Sequence, residues 1–316
     1  MINVENHGPI IAIRMSRSLL GRPICWTAAY WVDGLLIDTG PSCTAHELAR
    51  ILEQVHVEQI VLTHGHEDHS GGLALLHERY PDAPIYAARR TIPFIQEPDR
   101  LGQQFYRHLL WGAPKAVKNV QSIDAIDNVI KTPEYQLRMV ETPGYTADHV
   151  SLWEPTRRWL FCGDTFSAGR EQAWMKESDL FSMVCSLRTL ASLRPERLFP
   201  GSGNVRRTPQ PEIHHKIRQL VTLTQEVAKL EAIRLTIPEI VACLFQEEPR
   251  LTFWTGGHFS AANLIEACQA YNSLFIGNNE LARSYDPSVH DKPRSTPGSS
   301  RSTTDRPSNA DSFGNL

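Results

Sequence analysis

The chain reads as an α/β layered domain followed by a small helical unit and a polar tail. Three observations predict this. Short apolar, β-branched runs alternate with helical spacings through the first part of the chain, the pattern of a layered α/β unit. From Glu212 onward the apolar periodicity is helical alone. After about Ala282 large apolar residues nearly vanish and Ser, Thr, Pro, Arg, Asp and Asn dominate. Such a segment cannot bury enough surface to offset its ordering entropy and is expected to be disordered. The expected units are residues 1–208, 209–281 and 282–316.

The elements follow in order. Residues 9–40 alternate apolar runs with turns and supply the first strands, with Asp33-Gly34 as a hairpin turn signal. Thr44 to Val55 carries helical spacing through Leu48, Ile51, Leu52 and Val55, after a cap at Ser42 or Thr44. Gln59 to Leu62 is a short apolar run expected to be a buried strand. A helix over about 71–80 and a strand over about 84–87 come next. Strand-like runs recur at Gln136 to Val140, Trp159 to Cys162 and Leu198 to Pro200, with a helix over 177–193. Beyond these lie a long helix over 212–230, a helix starting near Thr236 with Pro238 in its first turn, and another starting near Phe259.

Composition narrows the function classes. The chain has 316 residues, 41% of them hydrophobic, ample for one large core and a smaller unit. With 32 basic and 35 acidic residues the net charge is −3, which does not encourage a nucleic-acid partner. Six scattered cysteines show no Cys-x-x-Cys spacing and are expected to be free buried thiols in a reducing compartment. The N-terminus has no charged region followed by an apolar stretch, and no run is long enough to span a membrane. A cytoplasmic protein without a membrane partner is expected; the oligomeric state is not readable.

Residues 63–69 read Thr-His-Gly-His-Glu-Asp-His. Burying so many donors and charges without partners costs several kcal/mol, and a metal ion is the usual compensation. Imidazole with carboxylate suits Zn, Fe or Mn. The cluster sits just past a strand, where His64 and His66, two apart in extended chain, point the same way. A bland His-rich surface loop is the competing reading. Against it stand two further pieces downstream: Glu141-Thr142-Pro143-Gly144-Tyr145-Thr146-Ala147-Asp148-His149 and Phe161-Cys162-Gly163-Asp164-Thr165, each beside a strand-like run.

Together these motifs, with Trp31 to Gly40 as an opening hairpin, resemble the metallo-β-lactamase fold superfamily over roughly Ile10 to Arg206. The resemblance implies a four-layer αββα sandwich and up to two metal ions, with zinc first and iron or manganese as alternatives. It implies His64, His66 and His149 at one site, Asp68 and His69 at the second, and Asp164 between them. It also implies that residues 89–118 hold an insertion near the substrate pocket. The stretch Gln103, Gln104, Phe105, Tyr106, Leu109, Leu110, Trp111 either packs as an ordinary helix or forms a lid lined by Phe105, Tyr106 and Trp111.

Two positions depart from the family pattern. Ser202, in Pro200-Gly201-Ser202-Gly203, stands where a ligand His is usual. A hydroxyl is a poor ligand for such a metal, which leaves three outcomes open: a weak or empty second site, a replacement by His214, His215 or His258, or a water held by Ser202. Tyr145 replaces a His that is usually not a ligand, and either packs or contacts substrate.

The resemblance implies a hydrolase in which a metal-bound hydroxide attacks a small ester, thioester, lactone or similar substrate, with Asp68 as metal ligand or general base. A mononuclear iron persulfide dioxygenase-like oxidoreductase and an RNA-processing nuclease are the alternatives. A catalytically dead binding module is a fourth reading, opposed by six retained ligand positions.

Overall fold

In the computed structural model, which describes residues 1–102 and 104–274, two β-sheets pack face to face between helices. The expected disordered tail (282–316), residues 275–281 of the expected helical unit, and Gln103 lie outside the described residues.

The first sheet opens with β1 (Ile2–His7) antiparallel to β2 (Ile10–Met15). A short ribbon of β3 (Ser18–Leu19) and β4 (Arg22–Pro23) follows. Strand β5 (Thr27–Val32) then pairs antiparallel with β2 and with β6 (Leu35–Ile37). The β5–β6 turn is Asp33-Gly34, with φ of 48° and 83°, the positive pair that a tight two-residue hairpin requires. Helix α1 (Ala45–Leu52) carries the chain back so that β7 (Gln59–Val61) lies parallel to β6. Helices α2 (Glu67–Ser70) and α3 (Leu73–Arg79) lead to β8 (Ile85–Ala87), and α4 (Ile92–Gln96) and α5 (Phe105–Trp111) to β9 (Val120–Ser122), both strands parallel additions.

The second sheet has the order β10 (Val129–Lys131), β11 (Gln136–Glu141), β12 (Val150–Glu154), β13 (Trp159–Gly163), then β15 (Arg197–Pro200), which is parallel to β13. Between the last two come β14 (Trp174–Met175) and α6 (Leu180–Ser192). The chain continues through α7 (Pro209–Ala232), α8 (Ile237–Phe245), α9 (Arg250–Trp254), β16 (Phe259–Ser260) and α10 (Ala261–Ser273). Helix α7 packs against α6 and α10, and β16 pairs with β14.

Strand alternation builds the layers. In β5 and β6, Ala28, Tyr30, Val32, Leu35 and Ile37 face the second sheet, where they meet Leu137, Leu152, Phe161 and Phe199. Ala29 and Leu36 face the other way, with Ile13, Ile60 and Leu62, onto Leu48, Leu52, Leu73 and Leu76 of α1 and α3. Every residue of β12 and β13 is buried, so the second sheet is covered on both faces. Helices α6 and α7 form the outer layer, completing the αββα sandwich. No helix among the described residues is long and apolar enough to cross a membrane.

One helix starts earlier than expected. The amides of His69 and Ser70 donate to His66 O at 3.0 and 2.9 Å, so Glu67, Asp68 and His69 sit on a helical turn and not in the loop before it. The thiols also differ from expectation: Cys162 and Cys268 are buried, but Cys25 and Cys243 are exposed.

Phe161 is fully buried and stacks on Phe199 with centroids 4.7 Å apart. Phe161→Ala should destabilise the protein by about 3–5 kcal/mol, whereas Phe105→Ala, at a side chain 83% exposed, should change stability by less than about 0.5 kcal/mol. Denaturant unfolding checks both; equal effects would contradict the assigned core.

Candidate metal centre

Strand ends from both sheets converge on one point. Asp38 follows β6, His64 follows β7, His149 precedes β12, Asp164 follows β13, and Gly201-Ser202 follows β15. Backbone hydrogen bonds lock these ends together. Asp38 N donates to Val61 O at 2.8 Å, Val150 N reaches across the sheets to Thr63 O at 2.8 Å, and Gly201 N donates to Gly163 O at 2.7 Å. Two glycines allow the close approach: a Cβ on Gly163, which has φ of 45°, would stand 2.5 Å from His149 Nε2, and one on Gly201 would stand 2.2 Å from Asp164 Oδ1.

Four imidazoles gather there. The ring of His64 lies 4.4 Å from that of His69 and 4.8 Å from those of His66 and His149. His64, His69 and His149 are buried. Asp164 Oδ1 and Asp68 Oδ2 lie 3.4 and 3.8 Å from His69 Nε2. The structure thus brings together His64, His66, Asp68, His69, His149 and Asp164. Ligand atoms of His64, His69 and Asp164 fall within 4.8 Å of one another.

The hydrogen bonds show which atoms face the centre. His64 Nδ1 is 3.1 Å from Thr63 Oγ1, and His149 Nδ1 is 3.0 and 3.1 Å from the hydroxyls of Thr142 and Thr165. His149 Nε2 accepts from Asp164 N at 3.0 Å. His64 Nε2 and His66 Nδ1 are buried with no partner in the protein. Leaving such an atom unsatisfied costs about 1–3 kcal/mol, and a lone pair turned toward carboxylates and other imidazoles is what a divalent cation uses. The donor set therefore fits a metal ion.

Burial holds the imidazoles of His64 and His66 well below their ordinary pKa, and pushes His149 down to about 3. These three are neutral at physiological pH. Burial works the same way on His69, but Asp164, Asp38 and Asp68 outweigh it and hold His69 well above its usual range. Burial lifts the Asp68 carboxyl to about 6, against the pull of His69 and Arg107. Burial also opposes ionisation of Asp164, but His69 beside it wins and keeps it below the carboxylate range.

Several contributors escaped the sequence reading. Asp38, 2% exposed, meets His69 Nδ1 at 2.8 Å and accepts from Thr63 N at 2.8 Å and from the Thr63 hydroxyl, so it fixes the orientation of the His69 ring from the end of β6. Its place after a strand that neighbours the motif strand was the available signal. Asp148 holds the motif loop by accepting from Gly65 N at 2.9 Å and Thr91 Oγ1 at 3.0 Å. The guanidinium of Arg107 donates to Glu67 Oε1 and reaches Asp68 Oδ1 at 3.5 Å.

Of the two readings of the aromatic stretch, the structure has the packed helix: Phe105 is exposed, while Arg107 and Trp111 are buried. The Tyr106 hydroxyl lies 2.6 Å from His258 Nδ1. Tyr145 packs edge-on beside the centre: its ring stands 5.2 and 5.6 Å from those of His66 and His64. Ser202 is exposed at the rim. None of the three candidate histidines replaces it: His214 and His215 are exposed on α7, and His258 has its other nitrogen 2.6 Å from Glu177 Oε2.

The centre opens through Asp68, His69, Tyr145, Asp164 and Ser202 into a cavity of about 280 Å³. Its walls are mostly apolar, with Trp26, Phe166, Trp174, Met183, Leu187 and Leu220. Lys216 at its edge is tied to Glu171 at 2.7 Å.

Comparison with known proteins agrees with this architecture. The sequence model of the Metallo-beta-lactamase superfamily matches residues 27–202. The Beta-lactamase-like protein 2 homolog of Drosophila melanogaster is 30% identical over 261 residues, covering 78% of this chain and 81% of that protein. A hydroxyacylglutathione hydrolase of Yersinia pestis is 31% identical over 166 residues, 52% of this chain and 54% of that one. Among solved structures, a Beta-lactamase domain protein from Burkholderia ambifaria shares the fold with a TM-score of 0.67 at 16% identity, covering 87% of this chain and 88% of that chain.

A cation entering this centre should displace the proton held on His69. Zinc binding at pH 7 should therefore release about one proton per chain, rising as pH falls below about 6, where Asp68 also carries one. Titration calorimetry in buffers of different ionisation enthalpy reads this directly; a binding enthalpy independent of buffer would contradict the assigned charges.

Proposed function

The chain belongs to the metallo-beta-lactamase superfamily, and from that premise we propose that it is a zinc-dependent hydrolase of a small ester, thioester or lactone with an apolar acyl part. The carrying observation is a set of imidazoles and carboxylates with orphaned buried nitrogens, opening into an apolar cavity of about 280 Å³. His64, His66 and His149 would hold the tighter ion. Asp68, His69 and Asp164 would hold a second one more weakly, since Ser202 supplies no imidazole. The substrate is a small molecule.

A bound zinc ion supplies Lewis acidity and lowers the pKa of a water to about 7. The chain's own groups do the rest. Asp68 has its carboxyl at about 6, close enough to neutrality to take a proton at Oδ2 and release it again. Tyr145, pushed up by burial and by Asp164 and Asp68, keeps its phenolic proton and offers a hydrogen bond to an oxygen in the cavity. Trp26, Phe166 and Trp174 seat the acyl group and keep bulk water from it. The partial match to a hydroxyacylglutathione hydrolase supports a thioester among the candidates.

Steady-state assays of short acyl thioesters, lactones and phosphodiesters with the full chain test this. Carbonyl hydrolysis should be lost with a chelator and return with zinc. Asp68→Asn should lower kcat by about 10²–10⁴-fold while the protein still holds metal at saturating zinc. Absence of carbonyl hydrolysis, with oxygen uptake on a persulfide or cleavage of RNA in its place, would overturn the proposal.

A further inference from the structure

We infer that Arg107 is a positioning residue: its buried guanidinium, delivered by α5, fixes the Asp68 carboxylate so that one oxygen faces the metal centre. The inference rests on the metal-dependent reading above. Arg107 is 6% exposed and Glu67 1%. The guanidinium spans two carboxylates, with Nε on Glu67 Oε1 and Nη2 3.5 Å from Asp68 Oδ1. The other oxygen, Oδ2, lies 3.8 Å from His69 Nε2 on the side of Asp164. The two oxygens of Asp68 are thereby divided between the arginine and the centre.

This division needs an arginine. A planar guanidinium offers donors in a fixed fork and can address two carboxylates at once, whereas a lysine is a single point charge. A cation buried this deeply is tolerated only where carboxylates compensate it, and Glu67 and Asp68 are its two compensating partners among the contacts described. Glu67 keeps its second oxygen buried without a partner, so its described bond is the one to Arg107.

The support comes from outside the ligand loop. Helix α5 lies in the insertion between β8 and β9 and is tied down on both sides. Ser42 Oγ donates to Trp111 O at 3.0 Å. The Tyr106 hydroxyl meets His258 Nδ1 at 2.6 Å, and His258 Nε2 meets Glu177 at 2.6 Å. The insertion therefore helps to build the centre in addition to standing near it.

Cobalt(II) uptake by the full chain reads the geometry without any substrate. In the visible spectrum of the cobalt protein, Asp68→Asn should shift the bands, Arg107→Met should shift them the same way, and Arg107→Lys should stay nearer the wild type. The double variant Arg107→Met, Asp68→Asn should match Asp68→Asn alone. A wild-type spectrum in Arg107→Met, or a further shift in the double variant, overturns the inference. So does a spectrum unaffected by Asp68→Asn. Should Arg107→Met not fold, Glu67→Gln takes its place: removing the carboxylate charge that holds Nε should produce a partial shift, and an unchanged spectrum overturns the inference. A wild-type chain that takes up neither cobalt nor zinc would instead sink the metal reading itself.

Discussion

The hydrogen bond between His69 Nδ1 and Asp38 Oδ2, 2.8 Å long and buried, is the contact on which the centre depends. It joins the end of β6 to the first helical turn after β7. Asp38 also takes the amide and hydroxyl of Thr63, so one carboxylate sets both the start of the motif and its last imidazole. The chain cannot satisfy everything it gathers there. His64 Nε2 and His66 Nδ1 remain without partners, and a metal ion is the group whose chemistry answers both at once.

The sandwich explains why the centre sits where it does. Parallel strands β6 and β7 deliver Asp38 and the motif side by side, and the parallel pair β13 and β15 delivers Asp164 and the Gly201-Ser202 turn from the opposite sheet. The bond from Val150 N to Thr63 O couples the two sheets at that point. Asp68 and His69 are held by the helical turn, Asp164 by a strand end, so their carboxylate and imidazole atoms approach from different elements. The apolar cavity beyond them arises because β14, α6 and α7 bring Trp174, Met183, Leu187 and Leu220 to the open side.

Much of this was legible in the sequence. The Asp33-Gly34 hairpin and the strand before the motif form as the sequence suggested, and the six residues that the family resemblance implied as ligands lie around one point, because strand ends are where a layered α/β fold presents polar groups. The start of α2 was not legible, since His66 O captures the amides of His69 and Ser70 inside a stretch whose residues read as a loop. Arg107 was hidden among aromatic neighbours, which carried both readings of that stretch. Its role depends on Glu67 and Asp68, forty residues away in Arg107→Glu67 separation, and no local pattern encodes a pairing of that span. The contacts of His258 were hidden for the same reason: Tyr106 and Glu177 are distant in sequence.

Elemental mass spectrometry of the full chain, purified without added metal, tests the central claim most directly. The account predicts at least one transition-metal ion per chain, lost when His64 and His66 are both replaced by alanine. A chain that is folded yet metal-free, and that takes up no zinc, iron or manganese when offered them, would contradict it.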